Sequence, residues 1–336
     1  MIRNGIDRVT DAPYRSLLEH LRLGLVSNMS GISPRHGWRS TVDVLPKLFT
    51  VSCLFAPEHG VRGVLGPGEK VSDGRDELTG LYTHSLFEDM VFAPGTDGTD
   101  AAYAPRADSL RDLDMLVFDM QDVGSRYFTY ASTLLCTMRA CAANRVPLCV
   151  LDRPNPLGGL VTEGGRQADD CVSFIGLMRM PIRHGLTLGE LARYCNEAYA
   201  LSCDLTVIPC GGLRRSMLWA DTGLPFVRPS PNLPSPDAVT VYNGTCMLAG
   251  TNVSEGRGTT TPFTTIGAPF IQPEKLADAM NAALTKKWNE LRGLSIVSVA
   301  LNPITLPEED AKMIRDLQKT AVYRNANMAA AAIVDA

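Results

Sequence analysis

The chain has 336 residues, a formal net charge of −4, 45% hydrophobic residues and 20% charged residues. That length supports one large or two ordinary domains with a sizeable core. The charge balance gives no basic footprint for nucleic acid, and no window is apolar enough for long enough to span a bilayer. The first twenty residues, MIRNGIDRVTDAPYRSLLEH, contain no apolar h-region. The chain as given therefore reads as cytoplasmic, or as secreted or periplasmic if the N-terminus is incomplete. The nine cysteines are scattered, and Cys53, Cys136, Cys149 and Cys203 sit in apolar runs. They read as buried small hydrophobes in a reducing compartment, not as a disulfide framework or a metal knuckle.

In chain order, Leu23–Asn28 reads as a first buried strand, and Ser40 or Thr41 is placed to cap a short helix through Leu48. Val51–Ala56 is a second strand that runs straight into Pro57-Glu58-His59-Gly60. A long stretch rich in Gly, Pro, Asp and Thr follows from Val61 to about Arg106, broken by one short apolar piece, Gly80–Phe87. A loop this long inside a compact domain is usually functional. Met115–Phe118 is a third strand, continuous in apolar residues as strands buried on both faces are. It ends in Asp119, Asp122 and Gly124, and a helix begins near Tyr127 and runs to about Asn144. Val146–Leu151 is a fourth strand ending in Asp152-Arg153-Pro154, and a second Gly-rich loop follows it. Thr187-Leu-Gly-Glu190 is a capping-box signature opening a helix to about Leu201, and Leu205–Cys210 is a fifth strand.

Strands alternating with helices predict an α/β fold: a Rossmann-like, mostly parallel sheet with right-handed crossovers. The pattern changes after Gly211, giving a catalytic domain over 1–236 and a smaller C-terminal α+β domain over 237–336, with 245–265 contributing to the cleft. Within the second part, Ala238–Leu248 and Pro273–Leu291 read as helices, and the last thirty or so residues have helical propensity.

Four strand ends carry chemistry: Asn28; Glu58 with His59; Asp119 with Asp122; and Asp152 with Arg153. In a parallel sheet all of them fall on the carboxyl edge, where open α/β sheets bind ligands. Structural alternatives stand beside this reading. Asp119 and Asp122 are also placed to cap the following helix and pair with Arg126, and Asp152-Arg153 to form an ion pair. The loop after the first strand, Ser27–Pro34, has neither a G-x-G-x-x-G nor a Walker pattern, so no nucleotide cofactor is expected. The elbow G-x-S-x-G is absent, which argues against a serine esterase. His59, His184 and Asp119 are a metal-ligand alternative that no H-x-x-x-H or C-x-x-C spacing supports. What remains is a cleft with several carboxylates, Arg and Tyr, a set suited to glycosidic-bond hydrolysis. Glu58, held between Pro57 and a Gly-containing turn, is the candidate general acid, with His59 its competitor.

Several blocks carry a family resemblance: APEHGVRG, GPGEKV, LVFDMQDVGSRYFTY, VLDRPNPLGG, RHGLTLGELA, DTGLPFVRPSPNLP and GTNVSEGRGTTTPF. In order from about Gly5 to Phe270, they resemble the signature blocks of the exo-β-N-acetylmuramidases, bacterial glycosidases once filed as a domain of unknown function. The resemblance implies a Rossmann-like domain bearing the cleft, a smaller C-terminal domain, and no nucleotide or required metal. It implies release of N-acetylmuramic acid from the non-reducing end of peptidoglycan fragments, with a muropeptide as partner. Taken with the strand ends, the candidate catalytic set is Glu58, His59, Asp119 and Asp122. The substrate-binding set is Asn28, Glu69, Arg126, Tyr130, Asp152, Arg153, Glu163, Asn252, Glu255 and Arg257, the arginines answering the lactyl carboxylate. Two positions depart from the family pattern, Ala249 before Gly-Thr-Asn and Thr264 after Pro-Phe, where Glu is common. They motivate a catalytically weakened sugar-binding module as the alternative, beside the metal-dependent hydrolase.

Overall fold

The computed structural model of the protein describes residues 2–87 and 103–292. The helical reading of the last thirty residues, and part of the long insertion after Val61, lie outside them. The described elements group into two compact units, 1–243 and 244–336.

After a 3₁₀ turn, Gly5–Arg8, the first unit runs α1 (Ala12–Leu18), β1 (Leu23–Ser27), β2 (Ile32–Ser33), β3 (Arg39–Ser40), α2 (Thr41–Leu48), β4 (Val51–Ala56), β5 (Gly74–Arg75) and β6 (Tyr82–Ser85). It continues through α3 (Ala107–Leu110), β7 (Met115–Asp119), α4 (Thr129–Asn144), β8 (Leu148–Leu151), α5 (Leu188–Ala198), β9 (Leu205–Ile208) and α6 (Trp219–Thr222) to α7 (Pro236–Thr245). Seven strands form one sheet in the order β5-β6-β4-β1-β7-β8-β9. Every pair is parallel except β5–β6. Numbered among themselves, the six parallel strands run third, second, first, fourth, fifth, sixth, the doubly wound order. The chain therefore reverses direction across the sheet between β1 and β7, the place where doubly wound sheets bind their ligands, outside the carboxyl ends of the strands.

β1, β7 and β8 are buried along their whole length. Their apolar side chains, among them Leu23, Leu25, Val117, Cys149 and Leu151, pack with Val42 and Leu45 of α2 into one core. Burying each such side chain contributes about 1.5–3 kcal/mol, which fixes the strand register and so the height of every strand end. Two caps match their sequence signatures. Ser40 accepts the Val42 N–H at the start of α2, and Thr187 and Glu190 make the reciprocal capping box of α5. All the cysteines among the described residues are free, and most are buried.

The structure adds a strand. The expected loop after Val61 contains β6, which pairs with β4 and occupies the third place in the parallel set. In the second unit, a 3₁₀ segment, Cys246–Gly250, leads into loops, and α8 spans Pro273–Arg292. No helix of the described residues is long and apolar enough to cross a membrane.

Candidate active site

Asn28, Glu58, Asp119 and Asp152 stand at or just past the carboxyl ends of β1, β4, β7 and β8, which are adjacent in the sheet. All four are buried. The hydrogen bonds around them separate groups held by the fold from groups left open.

Asp119 is held. Arg153 Nε lies 2.5 Å from Asp119 Oδ1 and Arg153 Nη2 lies 2.8 Å from Oδ2. The Thr41 hydroxyl donates to Oδ2 as well. Both carboxylate oxygens are occupied inside a fully buried ion pair, and Arg153 Nη2 also donates to the Ile32 carbonyl at 3.0 Å. Asp119 neither caps α4 nor pairs with Arg126. It also does not join His59 and His184: among the described residues no three His, Cys, Asp or Glu side chains are arranged to hold a metal ion.

Asp152 and Arg153, adjacent in sequence, do not pair with each other through their side chains. Asp152 Oδ1 accepts the Gly189 N–H at 2.8 Å and the Arg153 N–H at 3.0 Å, and Oδ2 accepts the Thr187 hydroxyl at 2.9 Å. This carboxyl anchors the first turn of α5 to the end of β8. Burial pushes its pKa up to about 6, against the pull of those three donors.

Glu58 bridges two elements. Its Oε1 accepts the Gly68 N–H at 3.0 Å and its Oε2 meets the Thr129 hydroxyl at 2.6 Å. Thr129 is the first residue of α4, whose N-terminal dipole faces the carboxyl group. His59, almost fully buried, adopts φ +73°, a left-handed conformation rare for a non-glycine residue. Its Nδ1 lies 3.0 Å from the Leu65 carbonyl. A carbonyl only accepts, so Nδ1 carries the hydrogen and Nε2 of the neutral ring keeps its lone pair.

Asp122 Oδ2 accepts the Gly124 N–H at 2.7 Å, and Oδ1 is buried without a hydrogen-bond partner. Gly124 has φ +76°, and a Cβ there would lie 2.2 Å from Asn155 Oδ1, so only glycine fits this turn. His184 faces Asp122, its Nε2 3.6 Å from Oδ2. His184 Nδ1 accepts the Leu186 N–H, which leaves the hydrogen on Nε2. Asn28 accepts two bonds from Ser30 through its Oδ1, and its Nδ2 is buried without a hydrogen-bond partner. Tyr130, fully buried in the first turn of α4, feels the charge of these groups. Burial raises its phenol well above its usual range, the negative charges of Glu58 and Asp122 raise it further, and Asn28 acts in the opposite sense. The Tyr130 hydroxyl donates to the Pro229 carbonyl at 2.6 Å. Glu58, Asn28 and Asp122 thus follow three adjacent strands, β4, β1 and β7, and all three act on the buried Tyr130.

Arg126 Nη1 donates to the Gly165 and Met180 carbonyls at 2.8 and 2.6 Å, tethering the long loop between β8 and α5. No carboxylate among the described residues forms an ion pair with it, and burial lowers its pKa. Glu163 sits in that loop, paired with Arg183 at 3.1 Å. Glu69 is exposed on the turn after Gly68. Asn252, Glu255 and Arg257 belong to the second unit. There Arg257 pairs with Glu255 and lies over the Phe263 ring, 5.0 Å from its centroid.

No site role for Thr129 or Arg62 was read from the sequence, and His184 entered only as a metal-ligand alternative. Thr129 and Arg62 lie inside the quoted blocks FTY and EHGVRG. His184 stands three residues before Thr187, the N-cap of α5, and accepts the Leu186 N–H.

The N-terminal and C-terminal sequence models of the exo-β-N-acetylmuramidase NamZ family match residues 23–237 and 240–331. The peptidoglycan β-N-acetylmuramidase NamZ of Bacillus subtilis (strain 168) is 40% identical over 284 residues, 84% of this chain. The chain spans 65% of the length of that curated relative. A DUF1343 family protein of Bacteroides fragilis superposes with a TM-score of 0.74 at 36% identity, covering 84% of this chain and 69% of the other. A second from the same organism gives 0.67 at 33% identity, covering 81% and 68%. With a doubly wound sheet, buried carboxylates past the carboxyl ends of its strands and both sequence models matched in order, the chain belongs to the exo-β-N-acetylmuramidase NamZ family.

Proposed function

We propose that this chain is a glycosidase that releases N-acetylmuramic acid from the non-reducing end of peptidoglycan fragments. The observation that carries the reading is a pair of buried carboxylates, Glu58 and Asp122, just past the carboxyl ends of β4 and β7 on the ligand-binding edge of the sheet. Hydrolysis of a glycosidic bond needs one group to protonate the departing oxygen and a second to act at the anomeric side.

Glu58 takes the first role. Its Thr129 partner is a hydroxyl, able to donate to the carboxylate or to accept from the carboxylic acid, so the site accommodates both protonation states. His59 stands beside it. Its Nδ1–H is held by Leu65, and Nε2 is the nitrogen that exchanges a proton with a ligand. Asp122, with an oxygen free of hydrogen bonds, takes the second role. Asp119 and Arg153 act as positioning residues, since each satisfies the other. Arg126 is the anchor for the substrate's acidic substituent: a guanidinium without a carboxylate partner matches the lactyl group of muramic acid.

The test is release of free N-acetylmuramic acid from a muramyl-N-acetylglucosamine disaccharide, with an N-acetylglucosamine glycoside lacking the lactyl group as control. Turnover of the first and not the second is expected. Turnover of neither, by folded protein, would overturn the proposal.

A further inference from the structure

Glu58 and His59 are carried by a loop that closes on itself. The Leu65 N–H donates to the His59 carbonyl at 3.4 Å while His59 Nδ1 donates back to the Leu65 carbonyl. Gly60 donates to Pro57, Gly63 donates to Gly60, and Gly68 reaches back to the Glu58 carboxylate. Gly60, Gly63 and Gly68 all have φ of +70° to +75°. On its own, a left-handed histidine inside such a loop is disfavoured. Strain of this kind persists only where the surroundings over-determine it.

Arg62 supplies that constraint from the apex of the loop. Its Nε donates to Asp76 Oδ1 at 2.7 Å and its Nη2 to Asp76 Oδ2 at 2.6 Å, a two-point fork. Nη2 also donates to Asp43 Oδ1 at 2.8 Å. Asp76 is nearly fully buried, and the Arg62 fork pulls its pKa down to about 2. Asp76 is further fixed by the Thr79 N–H and hydroxyl. Asp43 lies in the first turn of α2, two residues from Thr41, which donates to Asp119. One short helix therefore connects the buried Asp119–Arg153 pair to the loop bearing Glu58 and His59, and Arg62 is the link.

Resting on the glycosidase reading of this site, we propose that Arg62 is a positioning residue: clamped between Asp43 and Asp76, it holds His59 in its left-handed conformation and keeps the Leu65 carbonyl and Gly68 N–H on His59 and Glu58. It touches no substrate. Its influence passes through those two side chains.

The experiment compares wild type, Arg62→Met and Asp43→Asn, each also in a Glu58→Gln background. On the muramyl disaccharide, Arg62→Met is expected to lower kcat about tenfold or more with KM changed less than twofold, and to shift the pH profile of kcat. Residues that act as one unit are non-additive, so Arg62→Met should cost little further in the Glu58→Gln background. The same fold-loss in both backgrounds would overturn the proposal. Asp43→Asn keeps the Asp76 fork and folds even if Arg62→Met does not. It should show a smaller loss of the same kind, and unchanged kcat and pH profile would also overturn the proposal. A readout independent of turnover is the imidazole Nδ1–H resonance of His59, assigned by its absence in His59→Gln. Protection from exchange should be present in wild type and lost in Arg62→Met. Protection retained in Arg62→Met would refute the clamp whatever the substrate proves to be, whereas an inactive wild type with a protected resonance would refute only the glycosidase reading.

Discussion

Arg153 grips Asp119 through two roughly parallel hydrogen bonds, beneath the point where the sheet reverses direction. The arginine side chain is 2% exposed and the aspartate 0%. Two charges this deep persist because each satisfies the other, and the pair is more costly to break than to replace. Asp119→Asn should therefore destabilise the protein by about 3–5 kcal/mol, because it leaves a guanidinium buried without its anion. Asp119→Leu combined with Arg153→Met should recover much of that loss. Urea unfolding midpoints of wild type and the two variants check this, and an unchanged midpoint for Asp119→Asn would contradict the pairing.

Glu58→Gln should separate substrates by leaving group. Loss of a general acid hurts most when the departing oxygen is a poor leaving group and least when it is an activated phenol. Release from the natural disaccharide should fall by about 100-fold or more, and release from a nitrophenyl glycoside by much less. Equal losses on both would assign Glu58 to positioning or to attack at the anomeric carbon.

Arg126→Met should raise KM for muramyl substrates by about 10- to 100-fold, the worth of a charge-assisted hydrogen bond to a carboxylate. Converting the substrate's lactyl acid to its methyl ester should weaken binding to wild type and change little in the variant. If the ester and the acid respond alike to the substitution, Arg126 serves only the carbonyls of Gly165 and Met180.

Asp152 predicts a pH effect with a definite sign. Its folded pKa, pushed from 3.8 up to about 6, means the folded state holds a proton that the unfolded state has already lost. Stability must then fall as pH rises through that window, by on the order of 3 kcal/mol in total. Asp76 works in the opposite sense: its pKa is lowered to about 2, so its contribution is present above 3.8 and is lost as pH falls toward 2. The two windows do not overlap. Asp152→Asn should remove the slope between pH 4 and 6 and leave the acid limb below pH 4 intact, as followed by chemical denaturation at several pH values.

The strand ends were legible because burial on both faces makes β1, β7 and β8 continuous apolar runs, and a polar residue ending such a run marks its position. β6 was not legible. Tyr82-Thr-His-Ser85 is short and polar, and its place in the sheet depends on pairing with β4. The partner of Asp119 was hidden for a different reason. Arg153 is 34 residues away and Thr41 is 78, and no local pattern announces such contacts. The sequence neighbours Asp152 and Arg153 suggested a pair, yet adjacent side chains in extended backbone point to opposite sides. One reaches α5 and the other reaches Asp119. The Arg257–Glu255 contact, two residues apart, was within reach of sequence reasoning for the converse reason.

The two-residue strand β5 has a bearing on how copies of the chain behave at high concentration. A parallel sheet normally offers two open flanks, each a row of unpaired peptide groups able to template another chain. Here β5 runs antiparallel along the outer side of β6 and occupies that flank for only Gly74 and Arg75, too short a ledge to extend. The opposite flank, β9, is four residues long and is followed at once by Pro209, whose ring nitrogen has no hydrogen to donate. Among the described residues neither flank offers a long, regular template, and both flanks are poor places for edge-to-edge self-association.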